Sequence, residues 1–475
     1  MYRNSLIYLV SSSSTILINF ISLPIFTKFL DLSDYGTIAM FILFGTTLTS
    51  FLSLGLSQSL FRFYFKYSQY EIRVLYTSIK FLLIIIFTLF FLTIIFPFVD
   101  LINLNIFNTS VSNDLIFLSF FNGVVLYFFN YNKQLLIAEE KAVNVSILII
   151  FQALLNFIFS LLFLLHFKMN FLALIYGAVF SNILVYIISL FINKKYFIFQ
   201  ISFSQIKKAI AYSYPETPGL IIQLLYSSFD KVMITNTKGL KETGLYDFGF
   251  RFATILKIIM DSFVNTWGPL FMKTMQENKK EEIDLMTEKL HQMIIIFGFF
   301  AIGISYFSED ILMILTNEKF YVVKYIIPLL IIYYLSSIFS FMSIQQIYFS
   351  GKLIYNLPVS VVGLSINLIV NIILIPLYGA LGAVIATMVA TFTQIIMNIY
   401  IGNMLCRIEY NLSKLVRTFL CIVFLIILIY PIMHYIDNFN IKFLIKSLII
   451  LSFLFYIIYF RLIVLSQIYN EIVLK

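Results

Sequence analysis

The residues of this chain with the clearest chemical potential are four charged side chains inside one hydrophobic segment: Asp247, Arg251, Lys257 and Asp261. A charge at bilayer depth costs roughly 2.5 kcal/mol or more, so a membrane helix carries it where it faces protein or water. At about 100° per residue, all four fall in a stripe about 120° wide. The spacing predicts two pairs four residues apart. Two interpretations remain open. The four residues could contact a substrate or a coupling ion, or they could form ion pairs with a purely structural role.

Composition predicts the elements that must position this stripe. The chain has 475 residues, of which 61% are apolar and only 12% are charged, about half the charged fraction of soluble proteins. Apolar runs long enough to cross a hydrocarbon core of about 30 Å recur along the whole length. We predict an all-α polytopic membrane protein whose first span is a retained helix rather than a cleaved signal. The fourteen predicted spans lie near residues 5–28, 37–57, 79–98, 115–136, 144–166, 171–192, 213–236, 244–268, 291–315, 324–348, 354–376, 380–404, 414–436 and 441–463.

Lysine and arginine distribution predicts the orientation. On this plan the loops on the side of the N-terminus hold 21 of these residues and the opposite loops hold 9. Because cytoplasmic loops carry the excess of basic residues, both termini are predicted to be cytoplasmic. The net charge of +9 needs no nucleic acid to explain it, since the basic loops face an anionic leaflet.

Self-comparison indicates two halves and a tail. Tyr35 corresponds to Tyr246 and Gln134 to Gln345, both 211 residues on, and the correspondences follow the order of the spans. Six spans per repeat is an even number, so the halves enter the membrane in the same direction, as in parallel-repeat transporters. The predicted domains are an N-terminal lobe at 1–205, a C-terminal lobe at 206–404 and an appended pair of spans at 405–475.

Further polar residues could line a cavity between the lobes. Asp230 could be a coupling carboxylate, because burial raises the pKa of an aspartate and the adjacent Lys231 lowers it. Glu216 could stabilise the start of span seven or meet substrate. Arg62 could contact a phosphate or only mark the cytoplasmic end of span two, and Asn19 offers an amide to a sugar.

These features in this order resemble the Wzx-type polysaccharide flippases of the multidrug/oligosaccharidyl-lipid/polysaccharide exporter superfamily. The motifs that carry the resemblance are Leu23-Pro24, Asp34-Tyr35-Gly36, Pro215-Glu216-Thr217-Pro218, Asp230-Lys231, Gly244-Leu245-Tyr246, Ile375-Pro376-Leu377-Tyr378-Gly379 and Gly382-Ala383. The resemblance implies a V-shaped pair of bundles like that of the multidrug exporters. It also implies alternating access that moves an undecaprenyl-pyrophosphate-linked oligosaccharide, for O-antigen or capsule, across the bacterial cytoplasmic membrane. Arg251 and Lys257 are suitable donors to a pyrophosphate.

Other functions remain open at this stage. A cation-coupled multidrug exporter and a lipid II flippase belong to the same superfamily, and fourteen spans is usual for the lipid II flippases. No cofactor is expected, although proton or sodium coupling is open. The expected partners are the lipid-linked oligosaccharide, membrane lipids and a polysaccharide polymerase, without nucleic acid. The loops are short and the sequence lacks a catalytic constellation or a phosphate-binding glycine loop, which argues against a membrane polymerase, an acyltransferase or an ATP-driven pump.

Overall fold

The computed structural model describes residues 2–107, 111–214, 217–277, 280–408, 410–436 and 438–459, which form α-helices without any β-strand in these ranges. The predicted all-α class is confirmed. Within the described part, ten helices are long and apolar enough to cross a membrane. Every one of the fourteen predicted spans overlaps a helix, and a total of fourteen crossings stays a prediction.

The helices are numbered here in chain order. The first nine are α1 (Tyr2–Phe26), α2 (Leu32–Leu52), α3 (Leu56–Tyr64), α4 (Gln69–Phe90), α5 (Val99–Ile102), α6 (Asn113–Ala138), α7 (Ala142–Leu165), α8 (Leu172–Ile192) and α9 (Phe203–Ser213). The other nine are α10 (Thr217–Lys238), α11 (Leu240–Glu277), α12 (Lys280–Leu315), α13 (Ile327–Phe349), α14 (Asn356–Tyr378), α15 (Ala380–Leu405), α16 (Leu412–Ile427), α17 (Ile429–Tyr435) and α18 (Phe439–Tyr459). Short π segments follow α4 and α5, and 3-10 segments cover Lys194–Tyr196, Glu318–Tyr325 and Leu353–Tyr355.

The chain groups into two compact units. Unit 1 contains Met1–Asp247, Leu315–Phe320 and Asn371–Ala380, and unit 2 contains Phe248–Ile314, Tyr321–Val370 and Leu381–Lys475. Spatial grouping does not test for a repeat. The lobes at 1–205 and 206–404 and the tail at 405–475 therefore stay a prediction.

Local sequence explains where two of the helices in unit 1 begin. At the start of α2, the Asp31 carboxylate accepts from the backbone N–H of Asp34, and the Asp34 carboxylate accepts from the N–H of Asp31. Ser68 and Glu71 form the same reciprocal arrangement at α4. Such capping boxes satisfy backbone donors that a first helical turn leaves free, and so fix the start of a helix.

The start of α4 corrects one prediction. Span three was placed at 79–98, but the helix begins at Gln69. Lys80, which was counted among the basic loop residues, lies inside this helix. Lys80 is 5% exposed, and its Nζ lies 4.4 Å from the centre of the Tyr76 ring. The polar residues Ser68, Gln69, Glu71 and Arg73 hid this helical start in the sequence. The excess of basic residues on that side persists without Lys80.

In unit 2, the helices of the predicted tail pack against α12. The Tyr306 hydroxyl of α12 donates to the backbone carbonyl of Leu425 in α16 at 2.8 Å. His291 of α12 shares a hydrogen bond of 2.9 Å with the Thr418 hydroxyl of α16. α16, the first helix of the predicted tail, is therefore attached to α12 at two levels along its length.

Candidate functional site

A hairpin of α10 and α11 positions the candidate residues of unit 1. Gly239 separates the two helices with φ of 86°, a backbone conformation that glycine adopts readily, and its N–H bonds to the carbonyls of Ile234 and Thr235. The two helices then run back along each other. Thr235 and Thr243, each four residues from Gly239, share a buried hydrogen bond of 2.8 Å.

The next turn of the hairpin brings the charged residues together. Lys231 and Asp247 lie eight residues from Gly239 on either side, and Lys231 Nζ is 2.5 Å from an Asp247 carboxylate oxygen. Steps of four residues keep a side chain on one face of a helix, so this partnership follows from the position of the glycine. Spacing within α11 alone does not predict this pair, because Lys231 belongs to α10.

Asp230 has different partners from its neighbour Lys231. The Tyr246 hydroxyl donates to one Asp230 carboxylate oxygen at 2.6 Å, and the Asn371 amide of α14 donates to the other at 2.5 Å. Asp230 is 4% exposed and Asn371 is fully buried. Side chains of adjacent residues on a helix point in directions about 100° apart, which explains why Asp230 and Lys231 contact different partners.

The four charged residues of the α11 stripe differ in burial and in the unit to which they belong. Asp247 is 7% exposed and belongs to unit 1. Lys257 and Asp261 belong to unit 2, are half exposed, and form the predicted ion pair at 2.6 Å. Arg251 is exposed. The periodicity of the helix was right, but burial changes along its length and separates Asp247 from the other three residues.

The remaining predicted site residues lie elsewhere in unit 1 or outside the described ranges. The Arg62 guanidinium of α3 lies over the Tyr212 ring of α9, 4.6 Å from its centre. Asn19 is exposed on α1. Glu216 lies outside the described residues, as does the end of span fourteen after residue 459. The assignment of all these residues to a substrate site stays a prediction.

Unit 2 contains a buried charge cluster that the sequence analysis did not identify. Glu309 of α12 lies 2.7 Å from Lys324, 3.3 Å from Lys442 and 3.5 Å from Lys446, and Lys446 is also 2.7 Å from Asp310. Lys446 has no exposed side-chain surface. It was counted as a loop residue, whereas the structure places it inside α18. The missed signal was the apolar sequence around Lys442 and Lys446, because lysines in such a run need a carboxylate partner.

A second charge cluster lies in the loops of unit 1. Glu139 binds Lys141 at 2.8 Å and also contacts Lys195 and the Tyr196 hydroxyl. Burial favours a higher pKa for the Glu139 carboxyl, but the hydrogen bonds from these three residues outweigh it and lower the pKa below its usual value. Lys141 and Lys195 were predicted on the same side of the membrane. Their convergence on one carboxylate agrees with that prediction.

The described residues offer polar and charged contacts rather than a metal centre. Among them, no group of three or more histidine, cysteine, aspartate or glutamate side chains could hold a metal ion. Asp230, Lys231, Asp247 and the exposed pair on α11 are instead suited to binding ions, phosphates or hydroxyl groups. Charges of this kind inside membrane proteins mark ion and substrate pathways.

The sequence model described as polysaccharide biosynthesis protein matches residues 1–275, more than half of the chain. The chain belongs to the polysaccharide biosynthesis protein family. An uncharacterized membrane protein of Methanocaldococcus jannaschii is 26% identical to it over 462 residues, which cover 91% of this chain and 88% of that protein. This membership agrees with the predicted resemblance to the polysaccharide flippases.

Two solved structures share the fold of this polysaccharide biosynthesis protein. The lipid II flippase MurJ in an inward closed conformation is 14% identical, with a TM-score of 0.72 and full coverage of both chains. An inward-facing multidrug resistance MATE family transporter of the MOP superfamily is 13% identical, with a TM-score of 0.65, covering 85% of this chain and 96% of that one. These similarities establish the fold of a multi-pass membrane transporter.

Proposed function

We propose that this chain moves an undecaprenyl-pyrophosphate-linked oligosaccharide across the bacterial cytoplasmic membrane by alternating access, with both termini cytoplasmic. The family supports a lipid-linked saccharide as the class of substrate. The product would be an oligosaccharide unit for O-antigen or capsule. A polysaccharide polymerase is the partner that would consume it.

The observation that carries this proposal is the exposure of two cations on α11. Arg251 is exposed and Lys257 is half exposed, whereas Asp247 of the same stripe is buried. A pyrophosphate is bound best by guanidinium and ammonium donors. Asp261 is also half exposed, so a stronger anion can displace it from Lys257.

Substitutions of the Lys257–Asp261 pair separate substrate contact from structural pairing. We expect Lys257→Gln and Arg251→Gln each to lower surface polysaccharide roughly tenfold or more, because each removes a charged donor to the phosphate. Asp261→Asn should retain display, since it leaves Lys257 free for substrate. The measurement is surface polysaccharide per cell at equal protein level, in a strain that depends on this gene.

Lys273→Gln is the matched control, because Lys273 lies on the same helix and pairs with Glu277 four residues on at 3.9 Å. It should leave display unchanged. Equal losses in Lys257→Gln and Asp261→Asn would indicate a structural pair and contradict the substrate assignment. Normal display in both Lys257→Gln and Arg251→Gln would also contradict it.

We further propose that Asp230 binds the coupling cation, a proton or sodium ion. The Asp230 carboxylate is buried, and its partners Tyr246 and Asn371 come from α11 and α14. Neutralising this carboxylate changes contacts on three helices at once, which is what a coupling site requires. The hydroxyl and amide partners can reorient, so an asparagine at position 230 can keep its hydrogen bonds.

Asp230→Asn should therefore fold normally but lose gradient-driven transport by about tenfold or more, since coupling free energies are typically 1–3 kcal/mol. Transport in proteoliposomes under an imposed proton or sodium gradient measures this effect. Asp284→Asn in the first half of α12 is the control. Full gradient dependence in Asp230→Asn would refute the coupling role.

The alternative is a cation-coupled drug exporter, favoured by the fold shared with the MATE transporter and by the acidic Asp230. It predicts that loss of the gene raises drug sensitivity and leaves surface polysaccharide intact. A lipid II flippase, favoured by the fold shared with MurJ, predicts defective cell-wall synthesis instead.

A further inference from the structure

A cavity of about 620 Å³ lies in unit 2 between α12, α16 and α18, apart from the charged residues of α11. Nine described residues line it: His291, Ile295, Asn411, Ser413, Lys414, Arg417, Thr418, Cys421 and Phe453. It is amphipathic, with polar groups along α16 and the side chains of Ile295 and Phe453 on the neighbouring helices. None of the nine lining residues is acidic.

Two exposed cations determine the charge of this cavity. Lys414 and Arg417 lie three residues apart, so both project from nearly the same face of α16. Neither forms an ion pair within the part of the chain that the structure describes. His291 is 6% exposed and is held by its hydrogen bond to Thr418. The cavity therefore offers two available positive charges.

The position of these cations along α16 indicates the boundary of the membrane. The apolar stretch Leu412–Ile432 is long enough to span a bilayer, and it begins at the first residue of α16. Lys414 and Arg417 therefore lie about 3 and 8 Å along the helix from this start, at headgroup depth. Further along α16, Leu420 and Phe424 are exposed large apolar side chains, as expected for a lipid-facing surface.

We propose that this cavity binds the phosphate headgroup of an anionic membrane phospholipid. Lys414 and Arg417 would contact the phosphate, and Ile295 and Phe453 would pack against the apolar part of the lipid. Basic residues at a membrane boundary bind anionic headgroups, and a cavity confines the lipid where an open surface would not. The site shares no residue with the proposed substrate and coupling residues, so its failure would leave the proposed function intact.

Cys421 provides a direct test, because it is exposed and lines the cavity. The chain has two cysteines, so Cys406→Ser leaves Cys421 as its only thiol. The full chain in neutral detergent is titrated with phosphatidylglycerol or phosphatidylcholine, and the rate at which an uncharged maleimide modifies Cys421 is measured. Phosphatidylglycerol should slow the modification, with half-protection at a much lower concentration than for phosphatidylcholine.

The double variant Lys414→Gln, Arg417→Gln should raise the phosphatidylglycerol concentration needed for half-protection roughly 30-fold. This factor corresponds to the usual contribution of two basic residues to the free energy of binding to anionic lipid. Lys207→Gln, Lys208→Gln removes the same charge from exposed positions on α9 and should leave protection unchanged. Equal protection by both lipids, or undiminished protection of the double variant, would overturn the proposal. Equal protection by inorganic phosphate would assign the cavity to a soluble anion and would also overturn it.

Discussion

Replacement of Glu309 with glutamine is expected to destabilise the folded protein by about 3–5 kcal/mol, the usual cost of removing one partner from a buried ion pair. Glu309 is the shared partner of Lys324, Lys442 and Lys446, and Asp310 alone cannot neutralise three lysines. The loss should appear as a lower midpoint of thermal unfolding in detergent. It should also appear as less protein in the membrane.

Two further variants test the electrostatic explanation. Glu318→Gln removes an exposed carboxylate from the adjacent 3-10 segment and should change stability by less than about 0.5 kcal/mol. Lys442→Gln combined with Glu309→Gln restores the net charge of the cluster and should recover part of the loss. If Glu309→Gln is as stable as Glu318→Gln, the cluster does not hold α18 to α12.

The second large effect is expected at a close contact between the starts of α2 and α11 in unit 1. A Cβ on Gly244 would lie 1.7 Å from the Leu32 carbonyl oxygen, and a Cβ on Gly36 would lie 1.9 Å from the Leu240 carbonyl oxygen. Both obstructions are backbone atoms, so no side-chain rotation can relieve them. Gly244→Ala should force the helices apart at a cost of about 1–3 kcal/mol or more.

The expected result of Gly244→Ala is strongly reduced transport together with a lower thermal midpoint. Gly303→Ala in α12 is the control, since a Cβ there would meet nothing within 4 Å and alanine favours a helix. Transport and stability of Gly303→Ala should equal those of the unmodified protein. Normal transport by Gly244→Ala would show that the close contact is dispensable.

Most of the fold could be predicted from sequence because hydrophobic length is a local property. Fourteen apolar runs were enough to find fourteen helices, and the motif Pro376 to Gly382 falls at the junction of α14 and α15. One error was the start of α4. There a polar first turn, stabilised by the Ser68–Glu71 capping box, extends the helix beyond its apolar part.

The candidate site could be predicted only where its contacts lie within one helix. The Lys257–Asp261 pair follows from a spacing of four residues and was found. The Lys231–Asp247 pair depends on the turn at Gly239, and the Asp230–Asn371 contact joins residues 141 positions apart. The spacing of residues within one helix cannot predict contacts between residues on different helices.

The sequence by itself determined the class of this protein, its helices and its polysaccharide biosynthesis protein family, because these depend on apolar length, local capping and ordered motifs. The tertiary structure decided which charges are buried and which partners they have. It placed Glu309, Lys442 and Lys446 in one cluster, separated Asp247 from Lys257, and formed the basic cavity at Lys414 and Arg417. The physical reason is that the cost of a buried charge depends on its surroundings in space, which are supplied by residues distant in the chain.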